Sequence, residues 1–186
     1  MKTKDYLIVA LAPLPLLLIP MVGIMVSEEW KWTLSDFVVA WAILAGTTFV
    51  YRLLATRPVA NLSYRAGAGL AVATGLLLTW INLAVQIIGD ENPAFVLYFI
   101  VVLIGLTGTG LARFQPAGMA RAAFATATAT FLVPLIAVIL WPTDFSPGVP
   151  QVFALNFAFV VMFAGAGLLF RRAASQASGA GAALSV

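Results

Sequence analysis

At 186 residues, 62% hydrophobic and only 9% charged, with a mean hydropathy of +1.04, the chain falls far below the roughly one-quarter charged content of soluble domains. That excludes a water-soluble fold and predicts one all-α membrane domain with no separate aqueous domain. The net charge of +3 and pI near 9.6 would suggest nucleic acid in a soluble protein, but here the basic residues have a topological explanation and nucleic acid is set aside as a partner.

Six apolar segments are each about 20 residues long, the length that crosses a hydrocarbon core of ~30 Å. They cover roughly residues 6–26, 34–55, 66–88, 94–112, 122–141 and 152–170. The first follows Lys2 and Lys4 but is longer than the apolar region of a leader and carries no A-x-A-like site, so it reads as a retained span. Pro13, Pro15 and Pro20 lie inside it. Each removes a backbone donor, which predicts a bent peripheral helix whose freed carbonyls need partners.

Thr33-Leu-Ser-Asp36 opens the second segment as a capping box, with hydroxyl at N-cap and acid at N3. Gly67, Ala71 and Gly75 form a ladder of small residues in the third segment. Gly105 with Thr109, and Gly108 with Ala112, repeat it in the fourth; Ala122, Thr126, Thr130 and Pro134 do so in the fifth. Small faces let helices approach closely in lipid, so the third to fifth spans are expected to form the tight centre. Gly89 suits the end of the third span, Asp90 and Glu91 an exposed acidic turn, and Asn92-Pro93 the capped start of the fourth. Residues 1–172 read as a single transmembrane domain, and SQASGAGAALSV within 173–186 as a flexible tail.

Charge fixes the expected threading. Lys2, Lys4, Arg52, Arg57, Arg65, Arg113, Arg121, Arg171 and Arg172 fall on one side of a six-span arrangement, and only Lys31 on the other. Every acid except Asp5 lies on or near the opposite side. Cytoplasmic loops collect Lys and Arg, so both termini are placed inside, with the acidic turn at Asp90 and Glu91 periplasmic. Arg52, Arg113 and Arg171/Arg172 would also offset the dipoles of the helices they end.

The candidate chemistry is sparse. No Cys or His is present, which removes thiolate chemistry and the commonest haem, zinc and copper ligands. No catalytic residue, metal site or cofactor is expected, and GLTGTG at 105–110 lies inside a span with no preceding strand. The polar residues worth following are Asp36, Asn82, Gln86 and Asn156. Asn82 and Gln86 are four apart on one helical face. Asn82 is deep enough that an unpaired amide would cost several kcal/mol, and Asn156, at comparable depth in the sixth span, is its expected partner.

Three stretches, WTLSDFVVAWAILAGTTFVYRLL at 32–54, NLAVQIIGDENPAFVLYF at 82–99 and LARFQPAGMARA at 111–122, resemble a family of small multi-pass inner-membrane proteins of Gram-negative bacteria. That family carries no settled activity, so the resemblance implies a bacterial inner membrane and brings no site residue. The expectation is a non-enzymatic bundle, an accessory or assembly component that associates with other membrane subunits or with itself in the lipid bilayer. A small solute or ion transporter or channel is the alternative, with its polar cluster in the periplasmic half. Binding of a lipid, quinone or pigment is a further one.

Overall fold

The computed structural model describes residues 3–27, 31–89, 92–142, 145 and 148–183, with the backbone alone over 180–183. Its elements are all helical: α1 (Thr3–Leu11), α2 (Pro13–Val26), α3 (Leu34–Ala55), α4 (Leu62–Val85), α5 (Phe95–Leu111), α6 (Pro116–Leu140) and α7 (Val149–Ala183). Five stretches among the described residues are long and apolar enough to cross a membrane: α1 and α2 in series, α3, α4, α6, and Val149–Gly179 of α7. The sixth apolar segment, α5, has 17 residues. At 1.5 Å per residue that is about 25 Å, short of a full hydrocarbon core.

Where the sequence suggests one domain over 1–172, the contacts divide the chain into two compact units, Met1–Thr56 and Arg57–Val186. In the first, the proline-rich span is broken at Ala12 into α1 and α2. Pro13 and Pro15 bring no N–H to the ladder there. At the break, the Ala10 carbonyl oxygen accepts a hydrogen bond from the Trp41 indole Nε1 of α3 at 3.2 Å. Nearer the N-terminus, the buried Asp5 carboxylate of α1 is ion-paired with the Arg52 guanidinium near the end of α3. The acid that stands alone on the basic side of the expected threading thus has a cation of that same side as its partner. Packing is otherwise thin: in α3 only Ala40, Leu44, Ala45 and Leu54 are buried.

The second unit is built around α7, not around the three preceding helices as the small-residue ladders suggest. Helix α7 packs extensively on both α6 and α4, α5 packs on α6, and α4 and α5 touch only slightly. The reason lies in the period of the buried residues. In α7 these include Val152, Asn156, Phe159, Phe163, Ala166, Phe170 and Ala173, alternating steps of four and three, with Gly167 buried beside them. In α6, Pro116, Ala120, Ala123, Ala127, Thr130, Pro134 and Ala137 keep the same steps. The α7 stripe serves both neighbours: Ala166, Phe170 and Ala173 meet Gly67, Tyr64 and Asn61 on the α4 side, while Gly167 beside the stripe lies against Phe124 of α6. The ladders do mark close contacts. A Cβ on Gly108 would lie 2.9 Å from the Ala122 Cβ, and one on Gly67 would lie 3.2 Å from the Ala166 carbonyl oxygen. At Gly75, however, nothing lies within 4 Å, so that rung of the α4 ladder meets no neighbour.

Boundaries shift for local reasons. Helix α4 starts at Leu62 because Asn61 caps it, its Oδ1 accepting from Tyr64 N at 2.9 Å. Helix α6 starts at Pro116, whose missing N–H costs nothing in the first turn. Helix α7 does not give way to a tail after residue 172: it continues to Ala183. Ala173 is fully buried, and Asn61 Nδ2 donates to the Ala173 carbonyl at 3.3 Å and to Gln176 Oε1 at 3.1 Å. The alanine-rich continuation has high helix propensity.

Candidate functional site

Asn82 and Asn156 are both buried in the second unit, 1% and 2% exposed, and each is held by α5 and not by the other. Asn82 Nδ2 donates to the Phe95 carbonyl oxygen at 3.1 Å. Asn156 Nδ2 donates to the Tyr98 hydroxyl oxygen at 2.5 Å. The expected Asn82–Asn156 pair is therefore replaced by two bonds to the first turn of α5. Phe95 and Tyr98 are three apart, one turn of a helix, and share a face. A carbonyl has two lone pairs, so Phe95 O can serve Asn82 and the helix ladder together.

Each amide leaves its oxygen behind. Asn82 Oδ1 and Asn156 Oδ1 are buried and have no hydrogen-bond partner. The orientation of Asn82 is forced, because only its NH2 can face a carbonyl. Leu78, Ile88, Tyr98, Val101, Val152, Phe159 and Phe163 belong to one apolar core cluster, whose one side-chain donor is the Tyr98 hydroxyl. Leaving a buried acceptor unpaired costs about 1–3 kcal/mol. The cluster thus combines two made bonds with two unmet acceptors, and it consists of neutral groups that exchange hydrogen bonds.

Gln86 does not share a helical face with Asn82. Helix α4 ends at Val85, and Gln86 is its C-cap in the left-handed region, with φ of 44°. The expected helix ran three residues further. It stops early because Ile87 and Ile88, 3% and 1% exposed, turn into the core. Gly89 follows with φ of 145°. Asp90 and Glu91 lie outside the described residues. Asn92 acts near the α5 start as the sequence suggests, but two residues upstream of the helix cap. Its Oδ1 accepts from Ala94 N at 2.9 Å, and Phe95, Val96 and Leu97 N–H groups bond back to the carbonyls of Asn92, Pro93 and Ala94. Every N–H of that first turn is engaged, which leaves it no donor for an anion.

Asp36 belongs to the first unit and is exposed. Its carboxylate Oδ2 accepts from Thr33 N at 2.7 Å and from the Thr33 hydroxyl at 2.7 Å, and Asp36 N donates to Thr33 Oγ1 at 3.4 Å. This is the reciprocal capping box.

Two side chains that sequence reasoning did not single out organise the second unit. Tyr98 is the phenol that answers Asn156; a tyrosine in the first turn of an apolar helix, level with Asn156, is the signal that would have found it. Tyr64 is fully buried at the other end. Its hydroxyl donates to the Phe114 carbonyl at 3.0 Å, and its ring packs edge-on to Phe170 at 5.1 Å. The Arg57 guanidinium lies 4.0 Å from the centre of the Phe114 ring, a cation–π contact. These contacts hold Arg113 and Phe114 at φ of 47° and 62°, a region that residues other than glycine rarely occupy.

Among the described residues no group of three or more His, Cys, Asp or Glu is placed to hold a metal ion. No protein-family model, no curated protein and no solved structure matches the chain, so no residue role passes to it from a relative.

Proposed function

We propose that the protein is a six-span protein of the bacterial inner membrane, with both termini cytoplasmic, that acts without enzymatic chemistry as an accessory or assembly component, through association with other membrane subunits or with itself. Helix α5 is the sixth span in this reading, its length completed by the turn at Asn92–Ala94. The observation that carries it is the face of α3 that the first unit itself leaves uncovered. Four of its 22 residues are buried, Ala42 and Gly46 are exposed one turn apart, and nothing lies within 4 Å of a Cβ built on Gly46. Pairs of small residues four apart that their own unit leaves uncovered are what another membrane helix packs against.

Gentle solubilisation followed by mass measurement tests it. The reading expects an assembly larger than the lone chain, and expects Gly46→Leu to dissociate it. A monomer without partner or self-association would sink the idea.

The unmet oxygens of Asn82 and Asn156 favour a second reading, a small transporter or channel that offers these acceptors to a solute. Polar groups inside a membrane domain are functional candidates by default. Asn82→Leu separates the two readings in liposomes: a transport site loses flux in protein that is still folded, whereas a purely structural amide lowers thermal stability and leaves any flux of the folded protein intact.

A further inference from the structure

We infer that the basic end of the second unit is a docking rim for anionic phospholipid headgroups, recognised through their phosphates. Arg57, Arg65, Arg113, Arg121, Arg171 and Arg172 supply all the formal positive charge of this unit, which contains no lysine. They belong to one end of the antiparallel bundle. Arg57 and Arg65 flank the start of α4, Arg113 lies in the α5–α6 turn, Arg121 is in the second turn of α6, and Arg171 and Arg172 are on α7 where Phe170 and Ala173 meet Tyr64 and Asn61. The described residues of the unit include no acid. Its three acids, Asp90, Glu91 and Asp144, lie outside the described residues, between α4 and α5 and between α6 and α7 in the sequence. The one ion pair among the described residues is Asp5–Arg52, in the first unit.

A dipole explanation does not account for the rim. Of the arginines expected to close helices, only Arg52 lies in a last turn. Helix α5 has no basic residue in its last turn, and Arg113 follows its C-cap. Arg171 and Arg172 are more than ten residues from the end of α7 at Ala183, and the dipole effect falls off within the last turn. Their level is better described by depth: at 1.5 Å per residue, Arg171 is about 33 Å along α7 from Val149, one hydrocarbon thickness. Arg65, Arg113, Arg121, Arg171 and Arg172 are exposed. The use of Arg throughout fits phosphate, whose oxygens a guanidinium grips with two parallel hydrogen bonds. Near an anionic leaflet each such cation is favourable, which makes the rim complementary to lipid at the level where headgroups lie.

The proposal rests on the membrane reading and is independent of whether the chain associates with a partner. The test is thermal unfolding of the protein in neutral detergent, titrated with phosphatidylglycerol or with phosphatidylcholine. The anionic lipid is expected to raise Tm by several degrees more than the zwitterionic one. About 0.5 M salt, which shortens the Debye length to a few ångströms, should erase most of that difference. A variant with Arg65, Arg113, Arg121 and Arg172 changed to Gln should keep the phosphatidylcholine Tm and lose the preference, while Lys31→Gln keeps it. Equal shifts from the two lipids, or a salt-insensitive difference, overturns the proposal whether or not the quadruple variant folds. The same shift from glycerol phosphate, or displacement of the lipid by an oligonucleotide or an acidic peptide at equal charge, also overturns it, in favour of a soluble anion or a macromolecular partner.

Discussion

Asn82 of α4 is bonded to the backbone of Phe95 at the start of α5, at 3.1 Å, so the carboxamide deepest in α4 closes its own helical hairpin. Asn156 of α7 reaches the same turn through the Tyr98 hydroxyl. The start of α5 is thereby tied to α4 and to α7, although α5 packs chiefly on α6. In a seam of apolar residues a single Asn sets register at a cost in stability. Asn156, between Val152 and Phe159 on the α7 stripe, fits that role.

Tyr98→Phe should lower stability by about 1–3 kcal/mol, because it leaves both polar atoms of the buried Asn156 amide without a partner. Asn156→Ala in the Tyr98→Phe background should cost less than in the parent chain, since the unpaired amide is then already present. A double-mutant cycle on thermal or denaturant unfolding in detergent measures the coupling, expected at about 0.5–2 kcal/mol. Additivity of the two substitutions would show that the bond contributes nothing.

The two glycines of the α4 and α5 ladders should respond in opposite ways. Gly108→Ala puts a methyl 2.9 Å from the Ala122 Cβ, so α5 must move off α6, at about 1–3 kcal/mol of overpacking. Gly75→Ala meets nothing within 4 Å and should stabilise α4 by about 0.5–1 kcal/mol through helix propensity. Unfolding midpoints in one detergent check both, and equal effects would contradict the packing described.

Asp5→Asn removes the counterion of Arg52 within the first unit. Breaking a fully buried pair costs about 3–5 kcal/mol. The Arg52 side chain keeps 32% of its exposure and so some hydration, which brings the expected loss to about 1–2 kcal/mol. The Asp5→Asn, Arg52→Gln double variant should recover part of it. A double variant less stable than the sum of the singles would exclude the pair as a stabilising contact.

The sequence is most legible where a segment's own chemistry decides. The capping box at Thr33 and Asp36, the burial of Asn82 and Asn156, and the close approach at Gly108 all follow from residue type and local spacing. What it hides depends on neighbours. The stop of α4 at Val85 is driven by Ile87 and Ile88 folding inward, which an uninterrupted apolar run does not reveal. The central place of α7 is hidden because its stripe is made of large side chains, while the eye follows glycine ladders. Asn82 finds a backbone carbonyl, and a carbonyl leaves no mark in a sequence, whereas the unused partner Asn156 does.

The threading makes a prediction that single cysteines can read, because the chain has none of its own. If both termini are cytoplasmic and α5 is a span, Gln115→Cys in the α5–α6 turn and Ser178→Cys in the last part of α7 share one side of the membrane. Pro142→Cys after α6 and Trp32→Cys before α3 share the other. In intact cells a membrane-impermeant maleimide is expected to label Pro142→Cys and Trp32→Cys once the outer membrane is permeabilised, and to reach Gln115→Cys and Ser178→Cys only after lysis. The sensitive site is Gln115. A 17-residue α5 is short by about 5 Å of a full core, a mismatch that local thinning or flanking residues accommodate at a fraction of a kcal/mol per Å. Arg113 and Arg121 beside Gln115 should hold that turn on the basic side. Labelling of Gln115→Cys from outside would mean that α5 does not cross, and the chain would then have five spans with its ends on opposite sides.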